Sequence, residues 1–305
     1  MFISNRNIAF SILGVLFLAN LLVWNVVFDF SSKHFLEVNF FDVGQGDAIF
    51  IETPQRHQIL IDGGPDSIIL EKLSKEMPFW DRSIDLIILT HPEKDHLVGL
   101  LEVLKKYKVE NILWTGVIRE TAEYKEWKKL IAKEGAKIVL AKSDRRILLG
   151  SDPINRIEIL YPFENLEGKV FKDSNNTSII NKLVFGENSF LFTGDAYKDV
   201  EGELLLNLVK QQLNSDILKI AHHGSKTSTS DEFLENVSPE YAIISVGKKK
   251  DLLPDCDNKE RNIFGHPNCE VLERLKKFGI NILRTDIDGD IKITSDGKNY
   301  EISNF

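Results

Sequence analysis

Positive charge is in short supply. Lysine and arginine number 38 against 46 aspartates and glutamates, a formal net charge of −8 over 305 residues. Non-specific affinity for nucleic acid rests on neutralising phosphates with Lys and Arg. The composition excludes a chain built for that, while leaving room for a local basic patch or a nuclease that holds its substrate weakly. Cysteine is scarce as well: Cys256 and Cys269 are the two. Thirteen residues apart, they either close a loop in an oxidising compartment, worth about 3 kcal/mol in the chain-entropy model, or are two unrelated buried thiols. There is no low-complexity linker, no short-period repeat and no glycine-rich nucleotide loop. With 43% hydrophobic and 28% charged residues the chain is a folding one, not a disordered one. Its length is great for one core and small for two enzymatic domains.

What the chain does have, near its start, is an uncharged run. IAFSILGVLFLANLLVWNVVF (8–28) carries no charge between Arg6 and Asp29. As a helix such a run spans about 30 Å, the hydrocarbon thickness of a bilayer. The competing reading is a cleaved signal peptide, whose apolar core is shorter and ends in small residues, whereas this one ends in NVVFDF. Residues 1–34 are therefore expected to be a membrane anchor and 35–305 one catalytic domain. Arg6 and the amino terminus before the run favour a cytoplasmic start and an exported domain. The expectation is a single-pass protein of the cell membrane, or a secreted one if the segment is cleaved.

From residue 35 the pattern alternates between short β-rich runs and amphipathic stretches. FLEVNFF (35–41), AIFIE (48–52) and HQILID (57–62) predict strands separated by GQGD and TPQR turns. IDLIIL (84–89) is a continuous apolar run of the kind buried on both faces of a sheet. Helices are predicted over 97–107, about 120–134, 198–212 and 268–279, the first with lysines at the end that suits the helix dipole. NILWT, KIVLA, RIEILYP, DILKIAHHG, YAIISVG, NILRT and DIKIT are further strands, and SIINKLVF with SFLFTGD forms a hairpin. This pattern predicts an α/β fold with helices flanking two packed sheets.

Five of the seven histidines fall in three short stretches: His91 and His96, His222 and His223, and His266. In THPEKDH (90–96), His91 and Glu93 are two apart and project to one side of extended backbone. Asp95 and His96 follow at the expected helix start, pointing to a neighbouring place; Asp95 can also act there as an N-cap. Imidazole and carboxylate together suit Zn²⁺, Mn²⁺ or Fe²⁺, with carboxylate-rich sets leaning to the harder ions. FTGD (192–195) and KIAHHGS (219–225) add an aspartate and a histidine pair beyond two other apolar strands. Three strand ends that each carry metal-ligand types point to one shared rim. The plain alternative is a capped helix with a chance histidine pair.

DVGQGDA (42–48), IDGG (61–64), THPEKDH, FTGD, KIAHHGS, FGHP (264–267) and RTD (284–286), in that order, closely resemble the metallo-β-lactamase-fold domain of ComEC-type competence proteins. The resemblance covers about residues 37–303 and implies an αβ/βα four-layer sandwich holding two divalent ions, Mn²⁺ or Zn²⁺. It places His91, Glu93, Asp95 and His96 among the metal ligands, with Glu93 where the wider superfamily has a second histidine. It implies Asp195 as the bridging acid and His222 as the late histidine, with the adjacent His223 leaving that choice open by one position. A further histidine of the superfamily has no counterpart in DSNNTS (173–178), where Asn175 or Asn176 can approach the metal.

Other motif residues carry two readings each. Asp62 is expected to orient a ligand. Asp47 belongs either to the metal surroundings or to a turn. His266 contacts substrate or transition state, or merely caps a helix. Ser225 and Lys226 bind an anionic oxygen or sit in a solvated loop, and the lysines at 248–250 bind phosphate or are simply solvated.

The activity so implied is hydrolysis by a metal-activated water. Asp95 holds and orients, and His266 or His223 stabilises the oxyanion or protonates the leaving group. The resemblance suggests a phosphodiesterase or nuclease acting on DNA; because one helix cannot form a DNA pore, it is either the partner of a separate channel protein or a free-standing anchored hydrolase. Alternatives are hydrolysis of another extracellular ester or envelope polymer, and a non-catalytic metal-binding scaffold of the same fold.

Overall fold

The computed structural model describes residues 5–31, 35–247 and 265–304, apart from the side chains of 5–9, 22 and 25–31. The chain divides into two units, Met1–His34 and Phe35–Phe305. In the first, α1 (Asn5–Ser31) is a single helix of 27 residues. Its large apolar side chains from Phe10 to Trp24, where described, are exposed. Among the described residues no helix is long and apolar enough to cross a membrane. Part of the expected anchor, the side chains at 8, 9, 22 and 25–28, lies outside them.

The second unit is built from two mixed sheets. Its strands are β1 (Leu36–Phe40), β2 (Ile49–Glu52), β3 (Gln58–Ile61), β4 (Ser83–Ile88), β5 (Lys108–Trp114), β6 (Lys137–Leu140), β7 (Arg146–Leu148), β8 (Arg156–Tyr161), β9 (Ile180–Phe185), β10 (Asn188–Phe192), β11 (Ile217–Lys219), β12 (Tyr241–Ile244), β13 (Asn281–Arg284), β14 (Ile291–Ser295) and β15 (Tyr300–Asn304). One sheet runs β15-β14-β1-β2-β3-β4-β5-β6 and the other β13-β12-β11-β10-β9-β8-β7. The helices are α2 (Ile68–Glu76), α3 (Lys94–Lys106), α4 (Ala122–Glu134), α5 (Lys198–Asn207), α6 (Lys210–Leu213), α7 (Asp231–Val237), α8 (Cys269–Lys277) and α9 (Thr285–Asp288).

Side-chain alternation sorts the layers. On β4, Leu86 and Ile88 join a core shared with Ile159, Leu183, Phe190 and Phe192 of the other sheet. Ile87 and Leu89 point the opposite way, into a second core with Leu97, Leu100 and Trp127 of α3 and α4. A third core lies under α5, α7 and α8, where Leu191, Leu218 and Ile244 meet Leu204, Phe233 and Leu275. Strands buried on both faces read as continuous apolar runs because period-2 alternation feeds two cores at once. Helices outside, sheets inside: the architecture is the expected αβ/βα sandwich.

Several elements were not predicted. β7 has three residues and β15 alternates polar and apolar at the sheet edge; α2 and α7 are short. The stretch expected as one helix over 198–212 is broken, because Leu208 and Val209 are extended and the Gln212 side chain accepts the Val209 N–H at 3.0 Å, starting α6 afresh. Cys256, and with it one half of the expected Cys256–Cys269 bridge, lies outside the described residues, as do Phe264 and the lysines 248–250.

The polarity of the strands positions the site. β3, β4 and β5 are parallel, with Ile61 opposite Ile88. In the other sheet β10, β11 and β12 are parallel, with Phe192 opposite Lys219 and Lys219 opposite Ile243. The loops that follow parallel neighbours leave at the same end.

Candidate metal centre

Asp62 follows β3 in left-handed backbone (φ 57°), and its carboxylate ties three elements together. Thr90 donates to it through N–H (2.8 Å) and hydroxyl (2.6 Å), and His96 Nδ1 lies 2.7 Å from Oδ2. His96 sits in the first turn of α3, one residue after Asp95. The close approach needs glycine on both sides. A Cβ on Gly63 would lie 2.5 Å from the Leu100 nitrogen, and one on Gly99 would lie 1.8 Å from the Gly63 oxygen. Gly46 is similar: a Cβ there would meet the Asp95 oxygen at 2.2 Å, and the next residue, Asp47, donates its N–H to that oxygen. The glycines of GQGD and IDGG are thus what lets two loops press on the start of α3.

From the other sheet come Asp195, one residue beyond the Gly194 turn after β10, and the histidine doublet after β11. His222 and His223 are both left-handed (φ 48° and 53°). Such backbone costs about 1–3 kcal/mol per residue and concentrates at functional sites. It splits the doublet. His223 turns inward, with Nδ1 2.8 Å from the Ser245 carbonyl and Nε2 3.3 Å from both Asp95 and Asp195. His222 lies instead against Thr227 (Nδ1, 3.1 Å), Asn175 (Nε2, 3.4 Å) and the Tyr197 ring.

Asp95, His96, Asp195 and His223 consequently offer four ligand atoms within 4.8 Å of one another. The donor set fits a divalent cation on its own evidence: His96 Nε2 and Asp195 Oδ1 are buried and make no hydrogen bond among the described residues, and buried polar atoms normally do. Of the doublet it is His223, not His222, that joins the group, and with both ring nitrogens engaged it is not placed to pass a proton to a leaving group. Asp47, Asp62 and His96 form a second close trio, but the Lys219 ammonium already sits on Asp47 Oδ2. That trio is better explained as the support beneath the first.

Other expected residues are placed as follows. His91 is buried beside His96, their rings 4.2 Å apart, and its Nε2 makes no hydrogen bond among the described residues. Glu93 is turned aside: Arg119 lies 2.7 Å from its Oε1, and Ser174 donates to the same oxygen at 2.5 Å. Asn176 accepts the Tyr197 N–H and is outside the group. His266 packs against His222 and His223 at 5.2 and 6.3 Å. Ser225 is buried within its own turn, accepting from Thr227, while Lys226 is exposed. Arg284 and Asp286 of RTD form a buried two-bond pair of their own at 3.0 and 2.6 Å.

Two residues of consequence carried no role in the sequence. Lys219 is fully buried, with Nζ on Asp47, 3.2 Å from the Gly194 carbonyl and 3.8 Å from Asp195. A lysine inside the apolar strand DILKIA was the available signal, since unpaired burial of an ammonium is prohibitive. Arg119 had no signal, because Glu93 is 26 positions away.

The electrostatics follow from burial against charge. Burial alone would depress His96 and His223, but the surrounding carboxylates, Asp195 foremost, outweigh it and hold both well above the ordinary histidine value. Burial would raise Asp195, yet His223 and His96 hold it well below the usual carboxylate range. Asp62 goes the other way, raised by burial. His91, with burial and the neighbouring His96 acting together, falls to about 3, and His266 falls to about 4 through burial and the facing His223 and His222. A cavity of about 700 Å³ between the sheets, lined by Ile59, Leu86, Leu113 and Arg145, includes none of the four donors; the chemistry gathers at the other end.

Residues 41–248 match the metallo-beta-lactamase superfamily. The chain belongs to that superfamily. With its buried His/Asp set it is a metal-dependent hydrolase of the metallo-beta-lactamase kind. It is similar to ComE operon protein 3 of Bacillus subtilis (strain 168), 32% identical over 84% of this chain and 32% of that protein. Competence protein ComA of Neisseria gonorrhoeae is 30% identical over 84% of this chain and 32% of its own length. The chain thus spans about a third of the length of the curated relatives it matches. Among solved structures, Igni18, a metallo hydrolase of the archaeon Ignicoccus hospitalis KIN4/I, aligns with a TM-score of 0.50 at 13% identity, covering 85% of this chain and 98% of that one. That likeness is one of fold.

Proposed function

We propose that this metallo-beta-lactamase-superfamily chain is a phosphodiesterase that cleaves DNA in a competence-like setting. The observation that carries the reading is the four-donor group of Asp95, His96, Asp195 and His223 in a chain similar to ComE operon protein 3 and to Competence protein ComA. Those four residues would hold the principal ion. His91 would lend a donor to a second and weaker position, because Glu93 is engaged with Arg119. Zn²⁺ and Mn²⁺ both suit such histidine and carboxylate donors.

A divalent ion held there would supply a bound water of lowered pKa and a Lewis acid toward a phosphoryl oxygen. The protein's part is holding and orienting. Asp62 fixes the His96 ring, and the Ser245 carbonyl fixes that of His223, so that each turns one nitrogen to the group. Asp95 is the one member of the four that is partly exposed; its carboxylate is where a reacting water is oriented. His266, neutral at physiological pH, serves as a hydrogen-bond donor to developing negative charge.

We also propose that residues 8–28 anchor the chain in the cell membrane with the catalytic unit outside the cytoplasm. The exposed apolar side chains along α1 support it, as does Arg6 before the run. The test of function is cleavage of labelled single- and double-stranded DNA by the full chain loaded with Mn²⁺ or Zn²⁺, beside Asp95→Ala. Metal-dependent cleavage absent from the variant is expected. A metal-loaded chain that leaves every DNA intact overturns the nuclease reading and directs the search to other esters.

A further inference from the structure

At the far end of β4 from the metal centre stands a turn that is wrong for water. The Asp81 N–H donates to the Pro78 carbonyl at 2.9 Å, and the two corner residues are Phe79 and Trp80. Turn corners ordinarily carry Gly, Asn, Asp or Pro. Here two aromatic rings are 79% and 73% exposed, edge to face with centroids 4.8 Å apart. The turn is not loose at its base. Asp81 accepts from Ser83 N–H (3.0 Å), Ser83 hydroxyl (2.8 Å) and Gln58 Nε2 (2.9 Å). The rings are therefore held outward by a braced support.

The surroundings specify what they meet. Lys108 donates its N–H to the Arg82 carbonyl and pairs with Ser83 across β4 and β5, which puts it beside the turn. Lys106 and Lys108 are exposed, and neither makes an ion pair among the described residues. Arg82 lies over the Tyr107 ring. The one acid of the turn, Asp81, is already engaged. Aromatic rings at the tip with cations behind them are the arrangement that binds the interfacial layer of an anionic bilayer. The same end is where the chain enters the catalytic unit. Lys292 reaches both Glu37 on β1 (2.9 Å) and Glu76 in the last turn of α2 (2.7 Å), joining the entry strand to the helix that leads into the turn. Phe35, just before β1, is itself exposed.

We propose that the Pro78–Asp81 turn is a membrane-contact element: Phe79 and Trp80 enter the interface of an anionic phospholipid bilayer, and Arg82, Lys106 and Lys108 face its headgroups. β4 runs from the turn to the THPEKDH loop, a length of about 20 Å for a strand of this size, so docking here presents the metal centre away from the lipid. The inference deepens the anchor reading of residues 8–28, and the two fail separately.

The experiment uses the full chain carrying Trp24→Phe, mixed with vesicles of phosphatidylcholine and phosphatidylglycerol whose acyl chains are brominated. Trp114 and Trp127 are buried (3% and 0% exposed), so Trp80 is the tryptophan that bromine can reach. Quenching with a blue shift is expected, and its loss in Trp24→Phe/Trp80→Phe. Flotation in alkaline carbonate reads the anchor. A chain that floats while Trp80 stays unquenched overturns the docking turn; quenching without carbonate-resistant flotation overturns the anchor and keeps the turn. Phe79→Ser, at a side chain 79% exposed, is expected to weaken quenching with its circular dichroism unchanged, and undiminished quenching in that variant overturns the paired insertion.

Discussion

Arg119 Nη2 lies 2.7 Å from Glu93 Oε1, and the carboxylate that THPEKDH offers to a metal is thereby held outside the four-donor group. Glu93→Gln is expected to leave the tightly held metal in place, measured by plasma mass spectrometry after dialysis. Arg119→Met releases Glu93 and is expected to strengthen binding of a second ion. Loss of the tight ion in Glu93→Gln would put Glu93 among the ligands.

Asp95→Ala and His96→Ala each remove a donor from the group. Activity is expected to fall by more than about 100-fold, because losing even an orienting partner of a ligand costs about 10–100-fold. Asp62→Ala, which frees the His96 ring without removing it, is expected within that lower range. Circular dichroism distinguishes lost chemistry from lost folding. Full activity with unchanged metal content in Asp95→Ala would end the site assignment.

Lys219 and Asp47 are a buried ion pair beneath the site. Removing one partner of such a pair costs about 3–5 kcal/mol because the other charge is left uncompensated. Lys219→Met is expected to lose about that much stability in denaturant titrations of the chelated protein. Lys219→Met/Asp47→Asn is expected to regain most of it. A single variant as stable as the parent would mean that the pair is balanced elsewhere.

Metal loading is expected to release protons. His96 and His223 are held above the ordinary histidine value in the metal-free site, which favours their protonated forms, whereas a metal takes the neutral imidazole. Calorimetry in buffers of different ionisation enthalpy is expected to show up to about two protons released per ion, and apparent affinity falling as pH drops. Affinity independent of pH between 6 and 8 would contradict the burial and charge balance described above.

Glu201 clamps the segment after the histidine doublet, accepting from the Thr229 and Ser230 N–H groups while buried. Burial raises its pKa above the ordinary value of 4.5. Below that value the carboxyl is protonated in both states; above it the folded chain keeps the proton longer than the unfolded one. The contribution is therefore fully present at low pH and is lost as pH rises through the folded pKa. Glu201→Gln is expected to remove that decline from the stability profile, followed by denaturant titration from pH 4 to 8.

Much of the site was legible in the sequence because its parts are local. THPEKDH, FTGD and KIAHHGS each end an apolar strand, and period-2 alternation with parallel strand polarity is enough to bring such ends to one rim. The glycines of IDGG and GQGD were visible as turn formers, and the structure adds which backbones they let approach.

What the sequence by itself determined is therefore the sandwich, the strand ends and the residue types at the rim. Tertiary structure decided how those residues divide. A one-position choice between His222 and His223 turned on two left-handed residues that no spacing rule specifies. The fate of Glu93 turned on Arg119, which arrives from another loop 26 positions on. Lys219 acquires its meaning from Asp47, 172 positions earlier. Local pattern fixes backbone periodicity, but which charge neutralises which is settled only when burial removes water as a partner for both.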